Sequence, residues 1–215
     1  MVEATLLAIG SYLLGSVPFG FLVGKAKGVD LRRVGSGNIG STNIYRALGL
    51  PTALAVFALD AGKGLVATRL MPALRPEGIE PAHLGFICGI AVMVGSVASV
   101  FMRLRGGKGV ATGAGVFLGL APLAAAICIA VWAALVTAFR YVSLGSLVAA
   151  AVLPLLLVAF DPSGYSRSPV FYLALAVALT VVVSHRSNIT RLIRGKEHKV
   201  GRAAGPGGAQ RKERA

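Results

Sequence analysis

VATGAGVFLGLAPLAAAICIAVWAALVTAF, residues Val110–Phe139, is the stretch on which the fold turns. It holds no charged residue. A straight helix of this length would measure about 45 Å, against a bilayer hydrocarbon core of about 30 Å. Either the segment crosses once with a long overhang, or it crosses twice with a break. Pro122 stands where a break is needed, because proline removes a helix hydrogen bond and its ring clashes with the preceding turn. Charge decides between the two. Arg103, Arg105 and Lys108 precede the segment, Arg140 follows it, and nine Lys/Arg lie from Arg186 to the end. Cytoplasmic segments collect Lys and Arg. One crossing would put Arg103–Lys108 and the tail on opposite faces of the membrane, and two crossings put them on the same face. The first piece, Val110–Ala121, supplies only about 18 Å of helix. It is therefore expected to be tilted, partly re-entrant or shielded by protein.

The remaining apolar runs are Ala4–Gly24, Leu50–Leu70, Leu84–Met102, Ser143–Phe160 and Pro169–Ser184. The first follows a start with Glu3 and no basic residue, unlike the positive start of a cleaved signal, and it is long enough to span. Lys25–Arg46 carries five Lys/Arg, whereas Met71–His83 and Asp161–Ser168 carry only Arg75 and Arg167, beside Glu77, Glu80 and Asp161. The reading is an all-α integral membrane protein with seven transmembrane helices, N-terminus out and C-terminus in. Residues 1–195 form one membrane-embedded domain. Residues 196–215 form a basic, disordered cytoplasmic tail that is attracted to anionic lipid and carries no chemistry.

Composition agrees. The chain of 215 residues is 55% hydrophobic and 14% charged, with a mean hydropathy of +0.75. Soluble domains run at about 45–50% apolar and about 25% charged. The 28 glycines show no collagen period, and glycine is favoured in membrane helices because it lets backbones approach. The net charge of +14 lies between apolar runs rather than on one polar surface, which argues against nucleic acid and for anionic substrates or headgroups at one membrane face. Cys88 and Cys128 fit no metal or redox spacing and read as small apolar fillers.

Four polar groupings fall on the predicted cytoplasmic face. The first is Gly35-Ser36-Gly37-Asn38-Ile39-Gly40-Ser41-Thr42-Asn43, with Arg46 beyond it. Its Gly-x-Gly-x-x-Gly pattern would mark a dinucleotide site only between a strand and a helix. Between membrane helices it reads instead as a nest of backbone N–H groups facing a phosphate. The second is Arg105-Gly106-Gly107-Lys108-Gly109-Val110-Ala111-Thr112-Gly113. It is not a Walker loop, since Gly109 follows the lysine and Met102 stands at the leading glycine position. A glycine-flanked lysine at a helix start is still a phosphate clamp. In the third, His185-Arg186-Ser187-Asn188, His185 and Asn188 share a face if the helix continues. The fourth, Arg140-Tyr141-Val142-Ser143-Leu144-Gly145-Ser146, opens a membrane helix with small polar residues. Within the membrane, Asp60 and Lys63 are spaced to form an ion pair facing the bundle.

Together, Gly35–Asn43 with Arg46, Gly106–Thr112 and His185-Arg-Ser-Asn188-Ile resemble the acyl-phosphate-dependent glycerol-3-phosphate acyltransferases of bacteria (the PlsY type), over residues 4–195. The resemblance implies a seven-helix enzyme of the bacterial cytoplasmic (inner) membrane, its active site on the cytoplasmic side. Such enzymes move a fatty acyl group from acyl phosphate to the 1-hydroxyl of sn-glycerol 3-phosphate, giving lysophosphatidic acid and phosphate. No cofactor or metal is implied. The partners implied are acyl phosphate, sn-glycerol 3-phosphate, membrane lipids and, transiently, the soluble enzyme that makes acyl phosphate. The His-x-x-x-x-Asp motif of other glycerolipid acyltransferases is missing, with Thr190 five positions after His185.

Carried over by match, Ser36 and its neighbouring backbone amides hold the acyl-phosphate headgroup. Arg46, Lys108, His185 and Asn188 bind glycerol 3-phosphate, joined by Ser146 or Ser143, and Gly37, Asn38, Thr42, Asn43, Gly107, Gly109 and Thr112 are further substrate-binding candidates. Lys108, His185 and Ser36 are the catalytic candidates. The chain departs from the family at Gly95-Ser96-Val97-Ala98-Ser99, where Gly-His-x-x-Pro is usual. Acyl phosphate carries its own leaving group, so positioning and charge stabilisation suffice, and direct transfer without an acyl-enzyme is expected. The hydroxyl proton goes to His185 or to the substrate's phosphate; the phosphate is favoured, with His185 a neutral donor among cations. An anion transporter is the alternative, but it would line a path through the membrane with cations, and here they crowd one side. A phospho-alcohol transferase would show a run of metal-binding aspartates, and only Asp30, Asp60 and Asp161 are present.

Overall fold

The computed structural model describes residues 2–74, 80–160 and 168–201. Arg75, Glu77, Asp161 and Arg167, used above to place the external loops, lie outside the described residues, as does the tail from Arg202. Ten helices occur among the described residues, and no strand: α1 Val2–Ser16, α2 Phe19–Ala26, α3 Ser41–Leu48, α4 Leu50–Leu65, α5 Pro81–Val97, α6 Val110–Leu120, α7 Pro122–Phe139, α8 Val142–Ala159, α9 Pro169–Ser184 and α10 Arg186–Ile193. A π turn, Val66–Leu70, and a 3-10 turn, Met71–Leu74, extend α4. Five helical runs are long and apolar enough to cross a membrane: Val2–Ala26, Leu50–Leu74, His83–Met102, Pro122–Phe139 and Val142–Ala159. The pair α9 and α10 makes a sixth if counted as one span bent by 61°.

The long apolar segment breaks as its proline dictates. α6 ends at Leu120, Ala121 leaves the helical region, and Pro122 begins α7, where a missing N–H costs nothing. The short α6 is shielded by protein. Thr112, Gly113, Gly115, Val116, Phe117 and Gly119 are all buried, and α6 packs on α4, α5, α7 and α9. Glycines set this closeness. A Cβ on Gly115 would strike the Ala61 carbonyl of α4, and one on Gly64 the Thr112 carbonyl of α6. In the same way α1 and α5 meet backbone to backbone at Gly15 and Gly95. Leu84, Val92, Val116, Phe117 and Val181 fill the core, while Leu6, Ile9, Leu13, Leu54 and Leu179 point outward, as a lipid-facing surface requires.

The first run is broken at Val17-Pro18. The break frees carbonyls that would otherwise be orphaned in apolar surroundings. Lys63 Nζ donates to Gly15 O at 3.0 Å and to Val17 O at 3.1 Å, and Ser99 Oγ donates to Ser16 O at 2.5 Å. The same lysine pairs with Asp60 at 2.8 Å, the i,i+3 ion pair that the spacing predicted.

Candidate active site

The four polar groupings line one cavity of about 310 Å³ at one end of the bundle. Ser36, Asn38, Thr42, Asn43, Arg46, Gly107, Lys108, Gly109, Thr112, Ser143, Ser146, His185 and Asn188 are on its wall. Gly37 is not.

The first loop is built differently from the nest read in the sequence. Asn43 is 1% exposed and acts as an internal buckle. Its Oδ1 accepts the Ser36 N–H at 3.0 Å, and its Nδ2 donates to Leu31 O at 3.1 Å and Val34 O at 2.9 Å. Gly35, at φ +58°, lies where a Cβ would collide with that Oδ1. The Gly37 N–H donates to Val34 O at 3.0 Å and the Gly40 N–H to Asn38 Oδ1 at 2.8 Å. The N–H groups of Ser36, Gly37 and Gly40 are thus consumed inside the loop, and the expected nest of these amides around an anion is corrected. The loop presents side chains instead: the exposed Ser36, then Asn38, Thr42 and Arg46. Leu31 and Ile44, both buried against Ala53 and Val56, hold α3 on α4 so that Arg46 faces the cavity.

The second loop is clamped in the same way. Gly106 and Gly107 donate to Val97 O and Ser96 O, each at 2.9 Å. Gly109, at φ +75°, turns the chain into α6 in a conformation that glycine adopts freely. This leaves Lys108 projecting from a fixed base, and its Nζ donates to Asn188 Oδ1. Beside this loop, Ser96 Oγ and Thr112 Oγ1 form a buried hydroxyl pair at 2.9 Å.

His185 sits at the 61° bend between α9 and α10 and is 4% exposed. Its Nδ1 lies 2.8 Å from Val181 O. A carbonyl only accepts, so Nδ1 carries the hydrogen and Nε2 is the acceptor in the neutral ring. The expectation of His185 as a neutral donor is therefore corrected. Ser143 and Ser146 are both buried on α8. Ser143 Oγ donates to Glu197 Oε1 at 3.1 Å, while Ser146 Oγ turns back to Val142 O at 3.0 Å.

Glu197 was missed by the sequence reading, which assigned the tail no chemistry. The Val200 N–H donates to Arg140 O at 2.7 Å and Arg140 Nε donates to Val200 O at 2.8 Å, tying Lys196–Gly201 to the α7–α8 turn. Glu197 is thereby buried on the cavity wall. It accepts from Asn188 Nδ2 at 2.7 Å and pairs with Arg191 Nε at 2.7 Å. The signal for it was available: a carboxylate between Lys196 and Lys199, close behind the His185–Asn188 grouping.

The electrostatics follow from burial among cations. Burial first, then repulsion from Arg191 and Arg46 against the attraction of Glu197, brings Lys108 down to about 8. Burial and the nearby Lys108 bring His185 down to about 4, so its ring is neutral at pH 7. Burial also lowers Arg46, in part offset by Glu197. For Glu197, burial raises the carboxyl, but hydrogen bonds from Asn188, Arg191 and Ser143 outweigh it and the net shift is downward. Beyond this polar end the wall turns apolar, with Leu50, Ala53, Leu54, Phe57, Trp132 and Val136.

A helical membrane bundle whose cation-lined cavity runs on into an apolar arm defines a protein built to hold an amphiphilic anion. Comparison with known proteins gives the family. Residues 5–195 match the glycerol-3-phosphate acyltransferase family, and the chain belongs to it. It is 47% identical to the glycerol-3-phosphate acyltransferase of Trichlorobacter lovleyi over 191 residues, covering 88% of this chain and 94% of that one. It is 40% identical to that of Geobacter sulfurreducens over 200 residues, covering 93% and 98%. The fold is similar to two crystal structures of PlsY (YgiH), an integral membrane glycerol 3-phosphate acyltransferase. The glycerol 3-phosphate form gives a TM-score of 0.82 at 40% identity, covering 92% of this chain and 96% of that one. The lysophosphatidic acid form gives 0.79 at 38%, covering 92% and 95%.

Proposed function

We propose that this protein transfers a fatty acyl group from acyl phosphate to the 1-hydroxyl of sn-glycerol 3-phosphate, releasing lysophosphatidic acid and phosphate. The observation that carries this is the joining of Arg46, Lys108, His185 and Asn188 with an apolar arm in one cavity. Two phosphates and one acyl chain are what such a wall complements.

Lys108 and Arg46 neutralise glycerol 3-phosphate, Asn188 orients the lysine, and Ser143, held by Glu197, fixes the α8 side. Ser36, Asn38 and Thr42 receive the acyl-phosphate headgroup through side chains and the first turn of α3, with Asn43 shaping the loop. The hydroxyl oxygen attacks the acyl carbonyl carbon, the new ester C–O bond forms, and the anhydride C–O bond breaks with its electron pair leaving on phosphate. The proton has two candidate acceptors. His185 Nε2 is an acceptor, but at about 4 it is a weak base. The second ionisation of a phosphate monoester lies near 6. The substrate's own phosphate is therefore the better base, with His185 Nε2 accepting a hydrogen bond from the hydroxyl and aligning it. No acyl-enzyme forms and no cofactor takes part.

The topology belongs to the same proposal. The apolar runs α1–α2, α4, α5, α6, α7, α8 and α9 make seven crossings, with the N-terminus out and the C-terminus in. The cavity then opens to the cytoplasm in a bacterial inner membrane, where a soluble enzyme making acyl phosphate can reach it. Residues 1–195 are the catalytic domain; of the basic tail 196–215, Glu197 serves the site. Purified protein mixed with palmitoyl phosphate and glycerol 3-phosphate is expected to yield lysophosphatidate and phosphate. Absence of product, with folded protein, would reject the reading.

A further inference from the structure

A second cavity, of about 30 Å³, lies behind the two glycine-rich loops. Its wall is formed by the break after α1, by the back of both loops and by the Asp60–Lys63 pair. It shares Gly40, Asp60, Ser96 and Gly107 with the reaction cavity, but the transfer chemistry does not use it. Most polar groups on this wall are spent on one another. Lys63 meets Asp60, Gly15 O and Val17 O, Ser99 Oγ donates to Ser16 O, and Ser96 Oγ pairs with Thr112.

Ser16 Oγ is the exception. It is fully buried and has no hydrogen-bond partner among the described residues. The buried helical hydroxyls of Ser11, Thr68 and Ser146 each fold back on the carbonyl four residues earlier, at 2.8, 3.0 and 3.0 Å. Ser16, the last residue of α1, forgoes that bond and lines the second cavity. Two acceptors on the same wall are open among the described residues. Asp60 gives Oδ1 to Lys63, and no protein donor meets Oδ2. None meets the Ile39 carbonyl either. That carbonyl points at Gly20, where a Cβ would lie 1.9 Å from its oxygen. Size and charge select the occupant. A water needs roughly 10–15 Å³ of such space and about two to four polar partners. A cation is repelled by the Lys63 ammonium, and an anion by the Asp60 carboxylate. A small neutral molecule that accepts one hydrogen bond and donates two fits all three groups.

We propose that this cavity is a structural water site: a bound water accepts from the Ser16 hydroxyl and donates to Asp60 Oδ2 and the Ile39 carbonyl. Ordered water is a general means of satisfying groups freed where a membrane helix is broken. Here it ties the end of α1 and the middle of α4 to the back of the first loop. The front of that loop carries Asn38 and Thr42 into the reaction cavity. Ser16 is thereby a positioning residue for the loop, acting through the water and touching no reacting atom. The water site does not depend on the acyl-phosphate reading; its kinetic consequence rests on it.

A crystal structure of the wild type, grown in lipidic mesophase and sharp enough to show buried water, should place a water within hydrogen-bond distance of Ser16 Oγ, Asp60 Oδ2 and Ile39 O. Ser16→Ala should lose that water and melt about 2–6 °C lower in detergent. The sign discriminates. A buried hydroxyl that stays without a partner is a burden, and removing it would leave the melting temperature unchanged or raise it. In the same variant KM for palmitoyl phosphate should rise about threefold to tenfold, with kcat and KM for glycerol 3-phosphate near wild type. No density at Ser16 Oγ, a cation's shell of oxygens there, or a melting temperature that does not fall would overturn the water site. A fall in kcat, or equal losses for both substrates, would overturn the positioning role. If the wild type makes no lysophosphatidate, the acyl-phosphate reading has failed, and density and melting still decide the water site.

Discussion

Two lysines border the glycine-rich loops, and they are opposite in kind. Lys63 is 5% exposed and its three N–H donors meet three acceptors: Asp60 Oδ1, Gly15 O and Val17 O. Its charge is matched by a carboxylate and its donors are spent. Lys108 has, among the described residues, one acceptor, Asn188 Oδ1, and its nearest charges include the cations Arg46 and Arg191. A saturated, paired ammonium holds helices together, and an undersatisfied one waits for an anion. The same side chain is a structural pin in one place and a substrate clamp in the other, and the difference lies in its oxygen neighbours.

The largest expected effect breaks the pin. Lys63→Met leaves the Asp60 carboxylate and two helix-end carbonyls unpaired in apolar surroundings, at a cost of about 3–5 kcal/mol. Thermal unfolding in detergent should show it as a large drop in melting temperature with loss of folded yield. Asp60→Asn combined with Lys63→Met should recover much of this, because no buried charge is stranded. A single variant as stable as wild type would make the pin idle. Next comes the clamp. Lys108→Met should leave the melting temperature near wild type while costing about 10²–10³-fold in kcat/KM. Normal kinetics would return Lys108 to the status of a surface charge.

The sequence carried the apolar segments and the break at Pro122 because burial and helix geometry leave few choices there. It carried the meeting of Lys108 with His185 and Asn188 because charge placed their loops on one face. It did not carry how each loop spends its hydrogen bonds. Gly-x-Gly-x-x-Gly announces a tight turn, but whether its amides face a ligand or close on Asn43 depends on where one side chain folds back. Nor did it carry Glu197, whose burial depends on backbone bonds between Val200 and Arg140, sixty positions apart. Charge counting read only the tail's net positive sign and so passed over Glu197, which the fold turns into the cavity wall.

The clamp also titrates. Lys108 binds an anion only when protonated, and in the free site it loses its proton near 8. A lowered lysine is charged below that value and neutral above it, so kcat/KM for glycerol 3-phosphate should fall above pH 8, by about tenfold per unit. His185, neutral down to about 4, adds no limb between pH 5 and 8. Lys108→Arg should move the alkaline limb upward. A profile flat to pH 9.5 in the wild type would show that Lys108 does not carry the binding charge.

Glu197→Gln sharpens the contrast further, because it removes the one carboxylate that opposes the cations around Lys108. Burial raises this carboxyl, its hydrogen bonds from Asn188, Arg191 and Ser143 lower it, and the lowering prevails. Its contribution to stability is therefore present at neutral pH and is lost as pH falls through its depressed folded value. The glutamine keeps the shape but weakens the hold on Asn188 and Arg191, so a loss of about threefold to tenfold in kcat/KM is expected. The alkaline limb should also move down, since an attraction that favoured charged Lys108 is gone. An unchanged limb would mean that Glu197 braces α10 without acting on the clamp.

The smallest effect is expected at Ser96. Ser96 already spends its hydroxyl on Thr112, behind the second glycine loop, and Ser99 spends its own on the end of α1. Ser96 lies on the wall of the cavity but is 9% exposed, so its hydroxyl faces protein more than substrate. Ser96→His must fit a ring into a site shaped for a hydroxyl, and gains at best a replacement hydrogen bond to Thr112. Turnover within about twofold of wild type is expected. A large gain in kcat at unchanged KM would show that a histidine here reaches the reacting atoms. Lys108 and His185 would then share the chemistry with this position.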